Sequence, residues 1–169
     1  MIISLLGYMG SGKSHISKLL ADITGEKLID LDKEISKKNR LSIPEIFEKK
    51  GEIFFRKQER ELLEVVLATQ DSCILSLGGG TPSYYNNMEI LNLNSKTIYL
   101  KCSVANLYER LLKQKDKRPL IARLSDEEIP EFVAKHLLER NFYYSKAQYT
   151  IDCDYKSPDE IIQEIEDLW

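Results

Sequence analysis

The sequence predicts an α/β fold built on a parallel sheet, and two observations carry that prediction. Short apolar runs alternate with longer amphipathic stretches along the whole chain, the rhythm of strands joined by helical crossovers. The first junction of this kind, "GYMGSGKSH" at residues 7–15, carries a glycine-rich pattern that works only between a strand and a helix. With 169 residues, 43% hydrophobic and 30% charged, the chain has material for one core of ordinary size, so a single domain over 1–169 is expected.

Taken in order, "IISLL" (2–6) is the first strand and "KSHISKLLADITG" (13–25) the helix after it. "KLID" (27–30) is the second strand, helical patterns run through 33–69, and "CILSL" (73–77) is the third. "KTIYLKC" (96–102) follows as the fourth, then a helix from about Val104, "YTIDC" (149–153) as the fifth, and a last helix. That helix has a readable start. Ser157 stands at the N-cap, Pro158 at the first helical position and Glu160 completes a capping box, with Ile161, Ile162, Ile165 and Leu168 as the buried stripe. The charged, proline-interrupted "KQKDKRPLIARLSDEE" (113–128) is poorly periodic and reads as a long mobile loop. Parallel strands joined by right-handed crossovers end at one edge of the sheet, so the residues after each strand should line one crevice there.

The totals exclude several classes. Twenty-four basic residues against 27 acidic give a formal charge of −3, so no nucleic-acid partner is expected. Cys73, Cys102 and Cys153 are widely spaced in or beside apolar runs, which suits buried thiols in a reducing compartment better than disulfides or a metal cluster. "MIISLL" is too short for a signal-peptide core and no apolar run approaches a membrane span, so a soluble, cytoplasmic protein without a membrane partner is expected.

Gly7, Gly12, Lys13 and Ser14 match G-x-x-x-x-G-K-[ST], a phosphate loop. Glycines let successive backbone N–H groups point at phosphate oxygens, the helix N-terminus adds positive dipole, Lys13 reaches the outer phosphates and the Ser14 hydroxyl ligates Mg²⁺. The run Gly10, Ser11, Gly12, Lys13, Ser14 and His15 is therefore the expected nucleotide site. Neither His15 nor His136 is expected to do chemistry with its imidazole.

The class of phosphate-loop protein is narrowed by what is missing. There is no guanine-reading N-K-x-D, which argues against a GTPase switch. Motor and transporter ATPases end a strand in a metal-holding Asp, but here "CILSLGGG" ends in glycines. The carboxylate is sought instead in "IDLD" (29–32), where Asp30 and Asp32, two apart in extended chain, would project to one side, one toward a metal and one toward an acceptor hydroxyl. The competing reading makes Asp32 the cap of the "KEISKK" helix. Gly78, Gly79 and Gly80 after the third strand remove every side chain, which suits a substrate lying against bare backbone; a plain tight turn is the alternative. Arg56 in "GEIFFRKQERE" and Arg140 in "LLERNFYYSKA" each sit on a predicted helix beside aromatic residues. They are either surface arginines paired with a neighbouring Glu or partly desolvated forks suited to a carboxylate.

In order and spacing, "GYMGSGKS", "DLD", "GE…FRKQE" (51–59), "GGG" (78–80), "RPLI" (118–121), "ERNFYY" (139–144) and "SPDEII" together resemble the shikimate kinase family over nearly the whole chain. The resemblance implies a three-layer P-loop fold with a five-stranded parallel sheet in the order 2-3-1-4-5. It implies ATP and shikimate as substrates, with Lys13 and Ser14 serving ATP and Mg²⁺ and Asp30 helping to hold the metal through water. Asp32 would be the base or orienting group, Arg56 and Arg140 would grip the shikimate carboxylate, and the Gly78–Gly80 backbone would bind ring hydroxyls. Arg118 matches a lid arginine that meets the transferring phosphate, while Arg110 and Pro158 match positions flanking adenine. A substrate-binding helical segment of about 32–62, a lid of about 113–124 and a monomer complete the expectation. The departures are His15 where Thr is commoner, "NFYY" where "xPLY" is usual, and the detail of "KQKDK". Rival readings are a related kinase with a gluconate-like or nucleotide acceptor, or a non-catalytic ATP-binding protein.

Overall fold

In a computed structural model, residues 1–115 and 119–168 are described. Five strands, β1 (Ile2–Leu6), β2 (Leu28–Asp30), β3 (Cys73–Ser76), β4 (Lys96–Lys101) and β5 (Tyr149–Asp152), pair all in parallel in the order β2-β3-β1-β4-β5. The expected architecture and strand order are thus both present. The central strands β1 and β3 are buried along their whole length, as continuous apolar runs covered by helices on both faces require.

The helices are α1 (Lys13–Thr24), α2 (Leu31–Asn39), α3 (Ile43–Thr69), α4 (Asn87–Asn94), α5 (Val104–Leu112), α6 (Pro119–Ala122), α7 (Ile129–Tyr144) and α8 (Pro158–Glu166). Their starts are set by local chemistry. Ser42 and Glu45 form a reciprocal capping box at α3, and Ser157 and Glu160 form the one anticipated at α8. Ile161, Ile162 and Ile165 are buried as expected, and Leu168 packs partly against the core. Gly51, with φ of 85°, breaks α3 into two helical stretches, and Arg56 and Glu59 follow on the second.

Two expectations need correction. Residues 113–128 are not simply a loop: α6 lies within them, Ile121 is fully buried in the main core, and the Lys115 ammonium pairs with Asp126 at 2.9 Å. One apolar residue every few positions anchors a single helical turn without producing a readable period. The chain also leaves the extended conformation sooner than expected after β2. Asp30 is extended, but α2 begins at Leu31, so Asp30 and Asp32 do not share a strand face. The cap of α2 is Asp30, whose Oδ1 accepts from the Lys33 amide at 3.2 Å, and Asp32 stands in the first turn. All three cysteines are buried free thiols. Cys102, just past β4, touches the Ser11 carbonyl at 3.7 Å.

Candidate active site

The phosphate loop leaves β1 and enters α1. Gly10 and Gly12 have φ of 84° and 87°, a left-handed backbone that a side chain would strain. Gly12 is the N-cap of α1 and offers no side-chain bond, so the amino end of the helix opens onto a cavity of about 390 Å³. Gly10, Ser11, Gly12, Lys13, Ser14 and His15 line that cavity, joined by Arg110 from α5 and Pro158 from the start of α8. Every nucleotide position expected from the sequence therefore borders one space, except Arg118, which lies outside the described residues. Arg110 also braces the loop: its Nη1 donates to the carbonyls of Ser11 at 3.1 Å and Gly10 at 3.3 Å. Tyr8, Gln114 and Lys156 line the same cavity, and the sequence had not singled them out.

The second half of the site is the turn after β3. None of Gly78, Gly79 and Gly80 has positive φ, so backbone freedom does not explain them. Space does. A Cβ on Gly78 would stand 2.7 Å from Asp32 Oδ1, one on Gly79 3.1 Å from Arg140 Nη1, and one on Gly80 2.6 Å from Arg56 Nη2. Three successive missing side chains thus make room for the carboxylate and the two guanidinium groups that sequence reasoning had picked out separately from three helices. Bare backbone was expected to receive a substrate; the nearer reason is that it admits these three side chains.

Arg56 combines both readings offered for it. Its Nη1 pairs with a neighbouring glutamate, Glu59, at 2.9 Å, yet the residue is only 8% exposed, with the Tyr84 ring 3.9 Å from Cζ. Burial works against its charge, but the attraction and hydrogen bond of Glu59 outweigh burial and hold the guanidinium firmly protonated. Its Nε is buried, forms an ion pair with Glu52 at 3.5 Å and makes no closer hydrogen bond among the described residues. Glu59 was missed by the sequence reading. It is 1% exposed, accepts from the Thr81 hydroxyl at 2.5 Å, and could have been found as the glutamate one helical turn after a buried arginine.

Asp32 is the electrostatically unusual group. Burial first, and the Glu59 carboxylate second, push its pKa up to about 6, while Lys13 pulls the other way. A carboxylate poised there suits proton acceptance near neutral pH. Arg140, half-buried on α7, points its Nη1 at Gly79, and the Tyr144 hydroxyl donates to the Gly79 carbonyl at 2.6 Å.

A divalent cation can be tested against the donors present. Among the described residues no three His, Cys, Asp or Glu side chains gather as a metal cage. Mg²⁺ does not need one, since it binds through one or two protein oxygens with phosphates and water completing its shell. The exposed Ser14 hydroxyl beside the loop and the Asp30 carboxylate, close enough to influence Asp32, are a donor set of that kind.

A family model described as shikimate kinase matches residues 9–168. The chain belongs to the shikimate kinase family. The shikimate kinase of Flavobacterium johnsoniae is 48% identical over 167 residues, covering 98% of this chain and 97% of the relative. That of Flavobacterium psychrophilum is 50% identical, covering 96% of this chain and 95% of the relative. Among solved structures, shikimate kinase from Bacteroides thetaiotaomicron superposes with a TM-score of 0.92 at 32% identity, covering 99% of this chain and 97% of that one. The Acinetobacter baumannii shikimate kinase, solved in complex with shikimate, gives 0.85 at 32% identity over 99% and 91% of the two chains. A deoxyadenosine kinase from M. mycoides, 18% identical with a TM-score of 0.61, shares the fold alone. Shikimate kinases thus share with this chain its sheet and its nearly complete length, and the family expected from the motifs is the family found.

Proposed function

We infer that the chain transfers the γ-phosphate of ATP to a hydroxyl of shikimate, forming shikimate 3-phosphate on the route to chorismate and the aromatic amino acids. The observation that carries the reading is the meeting of Asp32, Arg140 and Arg56 at three successive glycines. A buried fork whose Nε is only loosely paired, beside a second guanidinium, is a seat for a carboxylate, and a carboxyl poised near 6 is a seat for a hydroxyl. In this reading Arg56 and Arg140 hold the acid end of the ring, the Gly78–Gly80 backbone meets its hydroxyls, and Asp32 orients the reacting hydroxyl and accepts its proton.

The triphosphate lies along Gly10–His15 with Lys13 on its outer phosphates, and adenine lies between Arg110 and Pro158. Phosphoryl transfer asks a protein mainly for alignment and for cations against the spreading negative charge. Lys13 supplies one such cation. Mg²⁺, held by Ser14 and through water by Asp30, would supply further positive charge on the phosphate oxygens. Arg118 is assigned a further cation on its sequence alone. The segment of about 113–124 is proposed as a lid and about 32–62 as the acceptor-binding part of one domain. No helix among the described residues is long and apolar enough to cross a membrane, and we place the enzyme in the cytoplasm as a monomer.

Two converging guanidinium groups favour an anionic acceptor over an uncharged sugar, a nucleotide acceptor would need a larger second base pocket, and gluconate, which also carries a carboxylate, is separated from shikimate by assay. A coupled ADP-release assay decides: turnover should require shikimate, and neither gluconate nor a nucleoside monophosphate should replace it. Shikimate-independent ADP release, or none at all, would overturn the reading. Within the same assay Arg140→Ala should lower kcat/KM for shikimate by about 30- to 1,000-fold, with the KM for ATP nearly unmoved.

A further inference from the structure

Helix α7 presents His136, Arg140 and Tyr144 four residues apart, a spacing that puts three side chains on one stripe. All three reach loops at the carboxyl edge of the sheet. His136 Nδ1 meets the Tyr8 hydroxyl at 2.9 Å. The two rings stand edge to face at 5.4 Å, and Phe132 packs on the imidazole at 5.4 Å. Arg140 lies over the Tyr8 ring with Cζ 5.8 Å from its centroid and Nη1 beside Gly79, while Tyr144 holds the Gly79 carbonyl. Tyr8 is thus a phosphate-loop residue turned inward, 2% exposed, with its hydroxyl tied to α7 and its ring beneath a guanidinium from the same helix.

We propose that Tyr8 and His136 are positioning residues for the acceptor clamp: their hydrogen bond fixes the ring on which the Arg140 guanidinium rests and so sets its aim at the triglycine turn. The proposal rests on the reading of Arg140 as a carboxylate-binding residue. It makes the phosphate loop part of the acceptor site, since the loop residue that steers Arg140 sits between Gly7 and Met9. Packing alone would not serve, because a ring held only by apolar neighbours can slide or tilt by the ångström that a bidentate contact does not tolerate. The pair is also electrically suited to its place. Burial and the neighbouring Arg140 lower the His136 pKa, and burial raises that of the Tyr8 phenol, so a neutral pair shares one hydrogen and adds no second cation beside Arg140.

Tyr8→Phe and His136→Leu each remove the hydrogen bond while keeping most of the apolar volume. In steady-state kinetics on the full chain, each should raise the KM for shikimate by about 3- to 15-fold with the KM for ATP nearly unchanged, and the Tm should fall by roughly a few degrees because the same bond is lost from the ligand-free fold. The double variant should be no worse than either single one, because both delete the same bond. His136→Asn, whose amide can meet the same hydroxyl, should recover most of the loss. An equal rise in the KM for ATP would mean a general distortion of the loop and would overturn the proposal, as would an unmoved shikimate KM, additive losses, or no recovery with Asn. If His136→Leu does not fold, Tyr8→Phe decides alone. Wild-type chain without shikimate-dependent turnover overturns the proposed activity and the positioning role with it. Normal wild-type turnover with unaltered variants overturns only the role.

Discussion

Asp32, proposed to orient the reacting hydroxyl, is costly to the fold when it is charged. Its carboxyl protonates near 6 in the folded chain and near 3.8 when unfolded, so between those values the folded state binds the extra proton. Stability from this group is therefore greatest at the acid end of that window and is lost as pH rises through 6. Asp32→Asn removes the buried charge. At pH 7.5 it should leave the ligand-free protein more stable by about 1–3 kcal/mol, seen as a rise of a few degrees in Tm, an advantage that should shrink toward pH 4. The same change should lower kcat by about 10²–10⁴-fold if the group accepts or orients the hydroxyl proton. In the wild type, kcat/KM should fall on the acid side of about pH 6 as Asp32 takes up its proton, and that limb should vanish in the variant. An Asn variant with full turnover and the same acid limb would assign Asp32 to the fold alone.

At the scale of elements, the triglycine turn is where three helices are made compatible. Gly80→Ala would drive a methyl group to 2.6 Å from Arg56 Nη2 and 2.8 Å from Nη1, and Nη1 is tied to Glu59 at 2.9 Å, so the guanidinium has little room to retreat. We expect Gly80→Ala to weaken shikimate binding at least tenfold and to destabilise the fold by about 1–3 kcal/mol, measured by calorimetry and denaturant titration. Gly79→Ala should be milder, because the half-buried Arg140 can give way over 3.1 Å. This turn also marks the limit of what the sequence discloses. The phosphate loop, the strand order and the cap of α8 were legible because each is local chemistry or a family pattern. Glu59, Tyr8 and Tyr144 were not, since their roles depend on which side chains from distant helices arrive at the same turn. The Asp30–Asp32 geometry was misread because the boundary between β2 and α2 falls between them, and boundaries depend on caps that only tertiary contacts select.

Across the whole molecule, the phosphate loop after β1 and the triglycine turn after β3 share one edge of the sheet, and if they hold ATP and shikimate as proposed, water must be kept from the γ-phosphate while both are filled. The proposed lid carries tryptic sites at Lys113, Lys115, Lys117 and Arg123. Cleavage there should slow several-fold when a non-hydrolysable ATP analogue and shikimate are bound together, and less with either alone; equal rates in all four conditions would remove the lid from the mechanism. Part of that segment is anchored, because Ile121 is buried in the main core, so closure would have to pivot about α6 rather than fold the whole stretch over as a free flap.

The three sealed thiols carry a practical consequence. A thiol-directed dye should find no target in the intact native protein, so its uptake keeps time on how often the molecule breathes. With Cys102 pressed against the Ser11 carbonyl, labelling at that one sulfur should slow when nucleotide stiffens the loop above it, giving a probe of occupancy written into the natural chain.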